Sequence, residues 1–147
     1  MHFGAYLQES KRIAIEEKEI LELLAAKEEL SPIELRAAKN SLQVLIENAI
    51  GKAKRILKHY NCPVVPQRSR DAISFLYEVG AIDDEMYRSL HSAIGFRNSM
   101  IHEYMRFDEA VLYKILEAKR YLDLYDFLVD PVEYNAVVIK RIENFIL

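Results

Sequence analysis

One decapeptide concentrates the reactive side chains of this 147-residue chain: Gly95-Phe96-Arg97-Asn98-Ser99-Met100-Ile101-His102-Glu103-Tyr104. An imidazole exchanges protons near neutral pH, and a guanidinium stays charged and offers a planar fork of donors that matches phosphate oxygens. His102 and Arg97 together hold what cleavage of an RNA phosphodiester needs in the absence of a metal. The histidine moves a proton to or from the 2′-oxygen or the leaving 5′-oxygen, and the arginine neutralises charge building on the phosphate. Asn98 is one helical turn from His102 and is placed to orient it or to hold the phosphate. Tyr104, taken alone, is a bundle tyrosine with its ring in the core and its hydroxyl at the rim.

One geometric difficulty accompanies this pair. On an ideal helix, residues five apart diverge by about 140°. Three arrangements remain open: the helix ends or bends near His102, the long arginine side chain swings round, or two chains contribute to one cleft.

The pattern around the motif is helical throughout. Residues from about Ala5 to Lys27 form a first helix, with Tyr6, Ile13, Ile20 and Leu24 on one stripe. Ser31, Pro32 and Glu34 supply an N-cap, a first-turn proline and a capping box for a second helix reaching Tyr60. Its apolar face is Leu42, Leu45, Ile46, Ala49, Ile50, Ala53, Ile56 and Leu57. Lys52, Lys54, Arg55, Lys58 and His59 are read as decorating its other sides. A cationic C-terminal end complements the helix dipole; the functional reading is an RNA-backbone patch of Lys52, Lys54, Arg55 and Lys58, continued by Arg68 and Arg70.

A short third helix is expected from Ser69 to Val79, closed by Gly80. Asp83 or Asp84 caps the fourth, which carries the motif. Met86, Leu90, Ile94, Arg97, Ile101 and Tyr104 share its apolar stripe, so Arg97 interrupts a hydrophobic line and must be paired or face a cleft. Gly95, tolerated inside a helix, predicts close approach by another backbone or a ligand. A fifth helix is read from Asp108 to Val129, burying Val111, Ile115, Ala118, Leu122, Tyr125 and Val129. Residues 132–147 form a C-terminal helical extension built on Val138, Ile142, Phe145 and Ile146, docked on the bundle or on a partner. The expectation is an all-α, antiparallel bundle of five to six helices in a single domain, 1–147.

Composition narrows the function. With 51% hydrophobic and 29% charged residues the chain is globular rather than disordered. A net charge of −3 argues against nonspecific coating of nucleic acid. The lone Cys62 excludes an internal disulfide and a cysteine-based zinc site and suits a reducing cytoplasm. No Gly-rich phosphate loop, HExxH or paired-carboxylate metal signature is present, which disfavours an NTPase or metalloenzyme; no metal and no cofactor is expected. No run has the apolar length of a membrane span and no signal-peptide core precedes the first helix, so a cytoplasmic protein is expected. His2 is terminal, His59 belongs to the basic helix end, and His91 is read as packing.

Arg97 through Tyr104 resembles the R-x4-H-x-Y signature, with a polar residue after the arginine, of the HEPN ribonuclease domains. It is similar in particular to the HepT toxins, encoded beside a minimal nucleotidyltransferase (MntA-like) antitoxin. The helical order fits that family along roughly the whole chain. The resemblance implies a homodimer with facing motifs, Arg97 and His102 as the ribonucleolytic pair, and a 2′,3′-cyclic phosphate product. It also implies that Tyr104 accepts adenylate groups from the antitoxin, which silences the toxin. The rival expectation is a non-catalytic subunit that binds a nucleotidyltransferase or merely accepts its modification.

Overall fold

Ser31 Oγ accepts from the Glu34 backbone N–H at 3.2 Å, and Glu34 Oε1 accepts from the Ser31 backbone N–H at 2.9 Å. Each satisfies a helix-end donor that has no partner within the helix, and with Pro32 in the first turn they open a 28-residue helix. The computed structural model describes residues 2–103 and 105–147. Those residues form seven α-helices and no strand: α1 (Phe3–Ala25), α2 (Pro32–His59), α3 (Ser69–Glu78), α4 (Asp84–His102), α5 (Glu109–Glu117), α6 (Tyr121–Val129) and α7 (Ala136–Glu143).

Helix α2 is the axis. Helices α1, α3, α4 and α6 all pack on it, α4 also meets α3 and α6, and α1 meets α5 and α6. Its buried stripe includes Ala38, Leu42, Leu45, Ile46, Ala49, Ala53, Ile56 and Leu57, at the expected spacings of three and four. In α1 the buried line is Ser10, Ala14, Leu21 and Leu24, displaced from the expected Tyr6–Ile13–Ile20 line. Small side chains at Ser10 and Ala14 suit a close approach to α2, which leaves Ile13 and Ile20 on the flanks.

Lys52 overturns one expectation. Read as part of a surface patch, it is 0% exposed. Its Nζ donates to the carbonyls of Phe127 at 2.6 Å, Asp130 at 2.7 Å and Leu128 at 3.2 Å. These are oxygens at the C-terminal end of α6, where helical carbonyls run out of partners. Burial pushes the Lys52 pKa down to about 8, with Asp130 acting in the opposite sense. A lysine so enclosed has no face left for RNA.

The expected fifth helix is two helices. Lys119 adopts φ +52°, Lys119 N–H donates to Leu116, and Arg120 N–H donates to Ile115. This is a Schellman ending with lysine where glycine is usual. The chain restarts at Tyr121, which is 0% exposed and donates its hydroxyl to Glu22 at 3.0 Å. Leu112, Leu116, Leu124, Phe127 and Leu128 are buried, while Val111 is exposed, so the break resets the buried face. Asn61 and Gly80 end α2 and α3 in the same left-handed way. At the far end Ile142 is fully buried and Phe145 lies on Phe75 with ring centres 4.4 Å apart, joining α7 to α3; Ile146 is exposed.

Candidate active site

Asp83 caps α4, its side chain accepting from the Met86 N–H at 2.8 Å, with Asp84 and Glu85 in the first turn where the dipole favours anions. Leu90 and Ile94 then bury the line that leads to Arg97. Beyond Arg97 the apolar stripe does not continue. Ile101 is 46% exposed, and His102 and Glu103 are exposed with it, while Met100 turns to the buried side of the same last turn.

Arg97 sits at the junction of three helices with its side chain only 16% exposed. Its Nε and Nη2 donate to Asn98 Oδ1 at 3.2 and 2.9 Å. Its Nη1 donates to Glu47 Oε1 on α2 at 2.8 Å, and Nη2 reaches Ser69 Oγ on α3 at 3.4 Å. Asn98 therefore holds the arginine by two bonds that converge on one oxygen, a role different from orienting His102. Ser69 is the first residue of α3, whose N-terminal end carries partial positive charge and suits an anion. The Asp71 carboxylate closes that end by accepting from the N–H groups of Arg68 and Gln67.

Gly95 has a close neighbour, a side chain rather than another backbone. A Cβ there would stand 3.3 Å from Arg70 Nη2. The missing side chain lets the Arg70 guanidinium lie against α4. Arg68, Arg70, Lys54 and Lys58 are exposed; Arg55 is half-buried, its guanidinium 5.0 Å from the centre of the Tyr6 ring. Glu47, Lys54 and Lys58 recur at spacings of seven and four, so they share one exposed stripe of α2.

His102 is the last residue of α4, and the Glu103 N–H closes the helix on the Ser99 carbonyl at 2.9 Å. Because α4 is regular from Arg97 to His102, the two side chains leave it about 140° apart and about 7.5 Å apart along the axis. None of the hydrogen-bond partners of Arg97 is His102. Tyr104, expected to accept adenylate, lies outside the described residues.

The other histidines have structural contacts. His59 stacks on Phe3 at 3.9 Å, His91 packs on Tyr87 at 5.7 Å, and His2 Nδ1 accepts from the Gly4 N–H at 3.1 Å. A cavity of about 870 Å³ lies on another side of α4, between Ser92, Phe96 and Ser99 and the side chains of Leu42, Val111 and Leu124; neither Arg97 nor His102 lines it. Among the described residues no group of three or more His, Cys, Asp or Glu is placed to hold a metal ion. Among them, too, no helix is long and apolar enough to cross a membrane.

Glu47 and Ser69 are the site residues that sequence reading missed. They stand 50 and 28 positions from Arg97, and the only signal for them was the requirement that an arginine within an apolar line find partners.

The family model described as "Ribonuclease HepT-like" matches residues 7–138. A protein of Archaeoglobus fulgidus named "Putative RNase" is 32% identical over 93 residues, spanning 63% of this chain and 69% of that protein. A chain of a solved structure described as "Crystal structure of the toxin-antitoxin with AMP-PNP" superposes with a TM-score of 0.73 at 15% identity, covering 87% of this chain and 99% of the other. At that identity the likeness concerns the fold.

Proposed function

Because this chain belongs to the HepT-like ribonuclease family, we propose that it is a metal-independent RNA endonuclease and the toxin of a toxin–antitoxin pair. Arg97 binds the scissile phosphate and stabilises the charge of its pentacoordinate state. His102 moves the proton, either from the attacking 2′-oxygen or to the departing 5′-oxygen. The 2′-oxygen forms a bond to phosphorus as the bond to the 5′-oxygen breaks, leaving a 2′,3′-cyclic phosphate and a 5′-hydroxyl. The observation that carries this reading is Arg97 itself. A guanidinium held on Asn98 and Glu47 beside the start of α3, one turn before an exposed histidine, is a phosphate-binding group near a proton carrier.

The divergence of the two side chains on one regular helix favours sharing. In a homodimer with facing motifs, Arg97 of one protomer and His102 of the other serve one phosphodiester, and a two-fold axis makes two such sites. Lys54 and Lys58 extend the path of the RNA backbone along α2, at about 10 and 16 Å from the level of Glu47; Arg68 and Arg70 flank it at α3, and Arg55 supports it through Tyr6. The partner is a minimal nucleotidyltransferase antitoxin that adenylylates Tyr104, placing an anion and bulk two residues from His102; the toxin–antitoxin neighbour is consistent with such a pairing.

Arg97→Ala and His102→Ala are each expected to abolish RNA cleavage and growth inhibition by the purified and the expressed protein respectively. Cleavage retained by both variants overturns the assignment. Intact RNA in the presence of wild-type dimer that still takes up AMP on Tyr104 identifies a modification acceptor instead.

A further inference from the structure

We infer that Glu47 is a carboxylate gate on the phosphate-binding arginine: it occupies, on the Nη1 side of Arg97, the place of a phosphate oxygen, and RNA binds by displacing it. The inference rests on the ribonuclease reading above and deepens it.

The donor inventory of Arg97 carries the argument. A guanidinium has two edges that can receive an oxyanion as a pair of parallel bonds, Nε with Nη2 and Nη1 with Nη2. Asn98 Oδ1 takes the first edge. Of the nitrogens of the second edge, Nη1 donates to Glu47 Oε1 and Nη2 to the Ser69 hydroxyl. Bidentate capture of a phosphate thus requires one of these acceptors to leave. Asn98 is the neighbouring residue on the same helix, and Ser69 is a neutral group in the first turn of α3. Glu47 approaches from a separate helix, its side chain is 46% exposed against 16% for Arg97, and it alone among the three is an anion. Like charge expels it from beside an incoming phosphate, and water receives it.

The composition of α2 gives a second, independent indication. Its acidic residues are Glu34, which closes the capping box, and Glu47. Lys54 and Lys58 lie further along the exposed stripe on which Glu47 sits. A single carboxylate at the arginine end of a cationic stripe lowers the affinity of that stripe for any polyanion where affinity matters most. The same carboxylate keeps the guanidinium oriented while no RNA is present. Held this way, the site discriminates against isolated phosphate, which gains only the Arg97 contact, and favours a polynucleotide whose flanking phosphates also reach Lys54 and Lys58.

Glu47→Gln separates the gate from simple positioning, because glutamine keeps the shape and the Oε1 acceptor for Nη1 and removes the charge. Binding is measured by fluorescence anisotropy with a labelled, 2′-O-methylated RNA 12-mer, which lacks the attacking hydroxyl. Cleavage of the unmodified 12-mer gives kcat and KM. Relative to wild type, Glu47→Gln is expected to bind the 12-mer about fivefold more tightly, the factor of one exposed ion pair released, with KM lowered and kcat not reduced. In the Arg97→Ala background the same substitution is expected to give a clearly smaller gain, only that of relieving the lysine stripe, since the gate acts on the missing guanidinium. Unchanged or weaker binding by Glu47→Gln, a fall in kcat, or an equal gain in the Arg97→Ala background overturns the gate. If wild type cleaves RNA while any of these holds, the gate alone fails. If wild type and Glu47→Gln both neither bind nor cleave RNA, the ribonuclease reading fails with it.

Discussion

Four hydrogen bonds hold the Arg97 guanidinium, and two of them end on the residue next to it. The pairing with Asn98 uses the short reach of one amide to fix the long swing of the arginine, so the fork is presented in one orientation. Losing that grip misplaces the charge without removing it. Asn98→Ala is therefore expected to slow cleavage by about 10- to 100-fold, the range expected for misalignment of a reacting group. Affinity for the 2′-O-methylated 12-mer and the thermal midpoint should stay close to wild type. Stopped-flow cleavage and anisotropy on the same preparation check both; an unchanged rate shows that Asn98 does not set the geometry of Arg97. At this scale the motif residues were legible because their chemistry is local in sequence. Glu47 was not: nothing in residues 45–49 marks that glutamate as the partner of an arginine 50 positions away.

The elements divide into those that announce themselves and those set by tertiary packing. Helix α2 carries its cap, its first-turn proline and a sustained apolar period, and the structure uses all three. The division of α5 from α6 has no such sign. Lys119 takes the left-handed position without being Gly or Asn, at a cost of about 1 kcal/mol, because burial of Tyr121, Leu124 and Phe127 requires a new helix axis. Lys52 was misplaced for a related reason: helical periodicity shows where a side chain emerges but not that another helix end arrives there needing a donor. Its pKa, lowered from 10.5 to about 8, makes a prediction. The folded state loses this proton first, so between pH 8 and 10 the unfolded state binds more protons and the lysine adds stability as pH rises. Lys52→Met leaves three carbonyls at the end of α6 without their donor and is expected to destabilise the protein by about 1–3 kcal/mol or more. Its deficit relative to wild type should widen from pH 8 to pH 9.5 in urea titrations. A deficit that narrows across that window contradicts a lysine buried with a lowered pKa.

In the whole molecule, one long helix gathers four others, with Arg97 inside the junction and the exposed His102 at the end of α4. That arrangement suits two chains better than one, since a regular helix turns the two groups apart and a partner related by a two-fold axis can return one of them. The all-helical class was legible from periodicity, and the family from eight residues in that context; the partners of Arg97 on α2 and α3 were not, because they depend on how the helices pack rather than on the motif. We propose that these two side chains cut RNA through its own 2′-hydroxyl. This is tested most directly by incubating purified wild-type protein with RNA in excess EDTA and determining the chemistry of the new ends. The expected outcome is 2′,3′-cyclic phosphate and 5′-hydroxyl termini, no cut where the 2′-hydroxyl at the cleavage site is replaced by hydrogen, and no cut by Arg97→Ala or His102→Ala. Products ending in 3′-hydroxyl and 5′-phosphate, formed only when metal is restored and still formed by both variants, would contradict it.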